Sequence, residues 1–155
     1  MPHIHEKVDF TVEVFIVHKN KVLLRKHDKY KTWLSVGGHI ELDEDPNQAA
    51  VREVKEEVGL DVFLHNHSKI ELVQHRGYTE LIPPVFMNRH NINENHEHIT
   101  LTYFARSNTD ILVPCEDEKS DECKWFTLKE LDLPEFGILE RIKFYAKSAL
   151  NCLKD

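Results

Sequence analysis

The stretch GHIELDEDPNQAAVREVKEEVGL, residues 38–60, decides the fold of this chain. Asp45 followed by Pro46 is typical of a helix N-cap and a first helical residue, and Gly59 is typical of a left-handed C-cap. These end signals predict a helix from Pro46 to Val58. The apolar residues that recur at every fourth position should face the core: Ala50, Val54 and Val58.

The same helix carries three carboxylates on one face. Glu53, Glu56 and Glu57 are spaced i, i+3 and i+4, so their side chains lie next to one another. Three like charges repel one another, so the arrangement does not stabilise an isolated helix. The same three carboxylates can, however, serve as ligands for a divalent cation. Mg²⁺ takes oxygen ligands, often a few carboxylates completed by water and phosphate. The pattern therefore indicates a metal site, and the alternative is a solvated, charged helix face.

The stretch resembles the Nudix signature, G-x5-E-x7-R-E-U-x-E-E-x-G-U, in which U is a bulky aliphatic residue. Every specified position matches: Gly38, Glu44, Arg52, Glu53, Val54, Glu56, Glu57, Gly59 and Leu60. Softer family features flank it, namely Trp33 before the paired glycines and Trp125-Phe126 further along. One position departs from the family pattern, since Val36 stands where many Nudix chains have proline.

The resemblance implies one α+β domain over residues 1–155, with a mixed β-sheet sandwiched between helices. It implies hydrolysis, by water, of a nucleoside diphosphate linked to another group, with Mg²⁺ or Mn²⁺ required. The metal ligands that it implies are the Gly38 carbonyl and the side chains of Glu53, Glu56 and Glu57. Glu53 is either a ligand or a water-orienting base, and Glu57 belongs to the catalytic set. Arg52 is expected to orient Glu53, with Glu44 supporting the loop through Arg52.

A further base outside the signature is typical of several Nudix branches. We name Glu118 as the candidate, and the alternative is an ordinary acidic loop residue. The glutamates considered for this role are Glu94, Glu97, Glu116, Glu118 and Glu122. Substrate binding is assigned to Trp33, Gly37 and Gly38. The aromatic residues that either stack on a base or pack in the core are Trp33, Phe86, Tyr78 and Phe10.

Composition narrows the class of protein. The net charge of −7 argues against a basic face for duplex nucleic acid, but not against a phosphorylated small molecule. No apolar run is long enough to cross a bilayer, and residues 1–6 lack a signal-peptide pattern, so we predict a cytoplasmic protein. Three cysteines without C-x-x-C spacing, Cys115, Cys123 and Cys152, favour reduced thiols. A homodimer is left open.

Elsewhere the sequence predicts further strands and a second helix. Val8 to Val17 alternates like a half-buried strand, with Val8, Phe10, Val12, Val14 and Ile16 inward, and forms a hairpin with the strand that starts at Val22. The other predicted strands are Asp61–Leu64, Ile70–Gln74, His98–Ala105 and Glu122–Thr127. The range Glu80–Glu97 reads as a long loop. The second helix is predicted over Pro134–Leu153. Its buried face is expected to consist of Leu139, Ile142, Ala146, Ala149 and Leu150.

Eleven histidines are many for this length. The pairs His65-x-His67 and His96-x-His98 have strand spacing, so each pair could share a face. We interpret them as polar loop or strand-edge residues rather than zinc ligands, because no second clustered pair is near in sequence.

Two other functions are compatible with a Nudix fold. A sensor would bind a nucleotide without cleaving it, but such domains usually lose motif glutamates, and here all are present. An isopentenyl diphosphate isomerase would bring extra Cys and Glu residues, for which this chain shows no obvious match. The lead hypothesis is therefore a metal-dependent pyrophosphohydrolase.

Overall fold

The computed structural model describes residues 6–114 and 122–155. The two helices and ten strands of these ranges are β1 Val8–His18, β2 Lys21–Lys26, β3 Trp33–Leu34, β4 Val36–His39, α1 Pro46–Val58, β5 Val62–Leu64, β6 Gln74–His75, β7 Tyr78–Thr79, β8 Phe86–Asn93, β9 His96–Ser107, β10 Glu122–Phe126 and α2 Glu140–Cys152. Eight of the described strands form one mixed sheet, and β6 pairs with β7 apart from it. The predicted mixed sheet between helices is confirmed. No helix within the described ranges is long and apolar enough to cross a membrane.

Strand β1 is central to this sheet because its alternating side chains build both cores. Val14 and Ile16 face a cluster that contains the apolar side of α1. Phe15 and Val17 face a second cluster that contains the apolar side of α2. The two helices therefore cover opposite faces, and β1 is buried on both sides along most of its length.

Helix α1 begins and ends where the sequence predicts. The side chain of Asp45 accepts from the Gln48 backbone N–H, and Gln48 accepts from the Asp45 N–H, which completes a capping box. Gly59 adopts φ 72° at the C-cap. A Cβ at Gly59 would lie 1.9 Å from the Val113 carbonyl oxygen, and Val113 donates its N–H to the Val58 carbonyl. Gly59 is thus required by both conformation and space.

The interpretation of the start of β1 as half-buried is wrong. Asp9, Thr11 and Glu13 are buried, whereas Phe10 is 48% exposed. Parallel pairing with β9 explains the burial, since it sets polar residues of β9 directly opposite these three. The polar side of β1 therefore faces other polar groups inside the protein instead of solvent.

Three other predictions need correction. The range Glu80–Glu97 contains β8, an antiparallel partner of β9 whose outer edge is exposed, which explains its polar, Asn-rich sequence. In the predicted strand Ile70–Gln74, only Gln74 pairs, within the small β6–β7 hairpin.

The second helix begins at Glu140, because the 3₁₀ turn Pro134–Phe136 ends at Gly137 with φ 57°. Leu139 is consequently an exposed N-cap residue, while the other four residues of its predicted face are buried.

Candidate active site

Arg52 holds the carboxylates of the signature in place. Its guanidinium donates to both oxygens of Glu44, at 2.9 and 2.6 Å, and to Glu53 Oε1 at 3.0 Å. It also donates to Glu56 Oε2 at 3.1 Å and to the His39 carbonyl at 3.0 Å. The hydrogen bond with Arg52 is the main reason that the pKa of Glu44 is lowered. One arginine therefore joins helix α1 to the loop that precedes it.

The paired glycines are required because backbone and carboxylates approach closely. A Cβ at Gly38 would lie 2.3 Å from Glu53 Oε1, and a Cβ at Gly37 would lie 2.0 Å from the Val12 carbonyl oxygen. The Gly37 N–H donates to Glu57 Oε2 at 3.3 Å. The backbone of β4 thus lies directly against the carboxylates of Glu53 and Glu57, with no space for a side chain between them.

Glu57 is paired with a cation that the signature does not contain. Arg25, at the end of β2, lies with Nε 3.0 Å from Glu57 Oε2 and donates from Nη2 to Oε1 at 3.1 Å. Both side chains are largely buried, at 17% and 5% exposure. Glu56, in contrast, has a side chain that is 42% exposed. The three helix carboxylates therefore extend from a buried position to the surface.

Several of these groups line an open cavity of about 390 Å³, whereas Arg52 and Glu56 are not part of its wall. Its wall includes Glu53, Glu57 and both glycines of β4, with Arg25 and Arg141 as cations. The remaining lining side chains with titratable groups are Glu13, His27, His39, His90 and His98. A cavity that combines carboxylates with arginines suits an anionic substrate held through a metal ion.

Glu13 also lines this cavity, although sequence reasoning placed it on the polar face of an ordinary strand. Burial raises the pKa of its carboxyl group, and hydrogen bonds partly oppose the effect. Thr102 donates to Oε1 at 2.6 Å, and Ser35 donates to Oε2 at 3.0 Å. Glu13 is thus a buried, doubly hydrogen-bonded acid beside the signature carboxylates.

His39 and His98, which line the same cavity, lie beside the buried carboxylate of Asp9. Among the described residues, ligand atoms of Asp9, His39 and His98 all lie within 4.8 Å of one another. Burial, followed by the charge of nearby His39, lowers the pKa of His98 to about 4. The interpretation of His96 as a loop or strand-edge residue is wrong, since it is buried at the start of β9.

Of the candidates for an additional base, the three within the described residues do not line the cavity. Glu97 pairs with Arg89, and both line a different surface cavity together with Glu94. Glu122 is exposed on β10, with an oxygen 3.9 Å from Lys26 Nζ. Glu116 and Glu118 lie outside the described residues.

The aromatic candidates divide between core and surface. Trp33 is 3% exposed and packs edge-on against Phe126 at a centroid distance of 5.0 Å, so it has a core position. Phe86 packs between Phe104 and Tyr145. Tyr78 and Phe10 are exposed, and neither lines the main cavity.

Sequence reasoning missed several residues of the cavity, among them Glu13, Arg25, His39 and Arg141. Glu13 had a local signal, since it shares a strand face with Asp9, although that face was taken to be exposed to solvent. The other three lie outside the Nudix signature or at its variable positions, and only the fold brings them together.

Comparison with known proteins agrees with this architecture. The NUDIX domain family model matches residues 9–147, and the chain therefore belongs to the NUDIX family. This family of hydrolases cleaves pyrophosphate bonds, and the chain is a NUDIX hydrolase. A search of curated protein sequences gave no match.

Solved structures with the same fold include a NUDIX-family hydrolase from Clostridium perfringens. It is 37% identical, with a TM-score of 0.82 over 94% of this chain and 98% of that one. A MutT NUDIX hydrolase from Burkholderia pseudomallei is 18% identical, with a TM-score of 0.64 over 92% and 98%. An ADP-ribose pyrophosphatase from Streptococcus suis is 19% identical, with a TM-score of 0.57 over 95% and 92%. The last two show likeness of fold alone.

Proposed function

We propose that this protein is a divalent-metal-dependent hydrolase that cleaves the pyrophosphate linkage of a nucleoside diphosphate-linked small molecule, such as a nucleoside triphosphate or a nucleotide sugar. The observation that carries the proposal is a single cavity wall on which Glu53 and Glu57 meet Gly38. Arg25 and Arg141 line the same cavity. Acidic ligands and phosphate-attracting cations in one cavity are what hydrolysis of a diphosphate needs.

We assign the metal, Mg²⁺ or Mn²⁺, to Glu53, Glu56, Glu57 and the Gly38 carbonyl. These residues fit the ion, because they supply the oxygen donors that hard cations prefer and the backbone at Gly38 approaches Glu53 without an intervening side chain. A bound ion would neutralise charge on the diphosphate and lower the pKa of a coordinated water molecule.

The other charged residues have supporting roles in this proposal. Arg25 and Arg141 draw an anionic substrate into a cavity that otherwise carries carboxylates. Arg52 fixes the orientation of Glu53 through the hydrogen bond at 3.0 Å. Glu53 serves as a ligand or as the base that orients water, and Glu118 stays a second proposed base.

The test is product release from a nucleotide panel, measured with Mg²⁺, with Mn²⁺ and with excess chelator. The panel contains nucleoside triphosphates, nucleotide sugars and dinucleoside polyphosphates. Activity should vanish with chelator and fall at least about a hundredfold in Glu57→Gln, a size typical for the loss of a charge-stabilising group. Glu140→Gln, on the exposed side of α2, is the control and should keep wild-type activity.

Two outcomes would contradict the proposal. Turnover that persists in full after chelation would exclude a metal-dependent reaction. Tight nucleotide binding by the wild type with no turnover of any panel member would favour a sensor.

A further inference from the structure

Asp9, on β1, lies at the centre of a group of histidines from β4 and β9. It is 1% exposed, and its Oδ2 atom lies 3.2 Å from His39 Nε2 and 3.3 Å from His96 Nε2. The ring of His98 lies near both of these rings, with a centroid distance of 5.0 Å to His39 and 5.2 Å to His96. We call Asp9, His39, His96 and His98 the Asp9 cluster.

The sheet fixes this cluster by register. Asp9 and His98 are direct partners across the parallel β1–β9 pair. His96 is two residues before His98 on the same face of β9, and His39 ends β4, opposite Thr11 of β1. The positions are therefore set by backbone pairing along three strands, which holds the side chains close together before any ligand arrives.

The spacing within the cluster is that of metal ligands. With metal–nitrogen bonds of about 2.0–2.1 Å, two ligands of a tetrahedral ion lie roughly 3.3–3.4 Å apart. The two Nε2–Oδ2 distances, 3.2 and 3.3 Å, agree with this value. The ligand atoms of Asp9, His39 and His98 all lie within 4.8 Å of one another, so the three groups already converge on one point.

The hydrogen bonding of His96 points to a cation as well. Its Nδ1 lies 3.3 Å from the Glu6 carbonyl oxygen, and its Nε2 faces the Asp9 carboxylate. Both neighbours are acceptors. A neutral ring that donates from Nδ1 to Glu6 directs the lone pair of Nε2 toward a carboxylate, which is unfavourable unless a positive charge lies there. A metal ion between Nε2 and the carboxylate would supply that charge.

We propose that the Asp9 cluster is a binding site for a divalent transition metal of the zinc type, separate from the all-oxygen Mg²⁺ site on α1. Imidazole nitrogens with one carboxylate suit zinc, whereas Mg²⁺ prefers oxygen and water. The site would join β1, β4 and β9 and fix His39, the residue that follows Gly38. Two of its residues, His39 and His98, also line the cavity described above, and binding of the ion can be measured without substrate or turnover.

The experiment measures zinc retention. Untagged protein is stripped with a chelator, loaded with Zn²⁺ in excess Mg²⁺, desalted, and assayed for bound metal by atomic emission. We expect about one zinc ion per chain that Mg²⁺ does not displace. Co²⁺ in place of Zn²⁺ should give the visible absorption of a tetrahedral nitrogen–oxygen site.

Variants locate the ion. His98→Ala should lower zinc affinity at least about tenfold, since even the loss of a residue behind a metal ligand costs about 10–100-fold. His98 is partly exposed, so this variant should fold, which circular dichroism checks; Asp9→Asn is the second variant. His65→Ala/His67→Ala removes a histidine pair of the same spacing elsewhere and should leave affinity unchanged. Glu53→Gln/Glu57→Gln should also keep zinc while losing the α1 site.

The N-terminal His3 and His5 lie outside the described residues, so His3→Ala/His5→Ala serves as a further control. Failure of the wild type to retain zinc would overturn the proposal. Equal retention by the wild type and His98→Ala would overturn it too, because the ion would then lie elsewhere on the chain.

Discussion

Replacing Arg52 with alanine should destabilise the protein by about 3 kcal/mol even without metal or substrate. The side chains of Glu44 and Glu53 are 11% and 6% exposed, and both accept from this guanidinium. Breaking a buried ion pair by removing one partner costs about 3–5 kcal/mol, because the remaining charge stays buried. Arg52 is itself 22% exposed, so water partly reaches the gap and the lower end of that range applies.

Urea unfolding of the metal-free protein measures this loss directly. For a chain of this size, about 3 kcal/mol corresponds to a fall in the melting temperature of about 6–12 °C. The matched control is Arg89→Ala, which removes another arginine–glutamate pair, with Glu97. Arg89 is 64% exposed, so this variant should lose less than about 1 kcal/mol.

The reasoning would be refuted if Arg52→Ala lost no more free energy of unfolding than Arg89→Ala. Arg52→Lys sharpens the comparison, since it keeps the charge but cannot hold both oxygens of Glu44. It should lie between the wild type and Arg52→Ala.

Two further predictions concern the cavity and the core. Burial raises the pKa of Glu13, so its ionisation costs stability: the contribution of Glu13 to the free energy of unfolding should be fully present below the ordinary glutamate pKa of about 4.3 and be lost as the pH rises through the raised value. Glu13→Gln should lack that loss, and urea midpoints measured from pH 4 upward would contradict the idea if the two proteins ran parallel. Trp33→Ala should cost about 3–5 kcal/mol because Trp33 packs in the core, and thermal melting checks this; an unchanged melting temperature with weakened nucleotide binding would instead support stacking on substrate.

Local chemistry predicted helix α1 to the residue. Asp45, Pro46 and Gly59 act through the backbone within one turn of their own position, so no knowledge of the rest of the chain was needed. The contact of Arg52 with Glu44 and Glu53 follows equally from short sequence separation. The pairing of Glu57 with Arg25 does not, since these residues are joined only when β2 reaches the helix.

The Asp9 cluster shows why contacts between residues that are distant in sequence were not predicted. Asp9 and His98 are 89 residues apart, and nothing local specifies that β1 and β9 run parallel in this register. For the same reason the polar side of β1 was interpreted as facing solvent, when it faces polar residues of β9. Strand β8 was taken for a loop because an edge strand with one open side tolerates the asparagines that signal loops.

Gly59 has a consequence for the engineering of inactive variants. It belongs to the signature, yet it contacts the Val113 carbonyl on the side of the chain where α1 ends, not the cavity. A bulkier residue there would push the backbones of Gly59 and Val113 apart and destabilise the fold. The loss of activity in such a variant would therefore say nothing about the role of this residue in hydrolysis. Knockouts built for cell biology should therefore alter the glutamates and leave this glycine untouched.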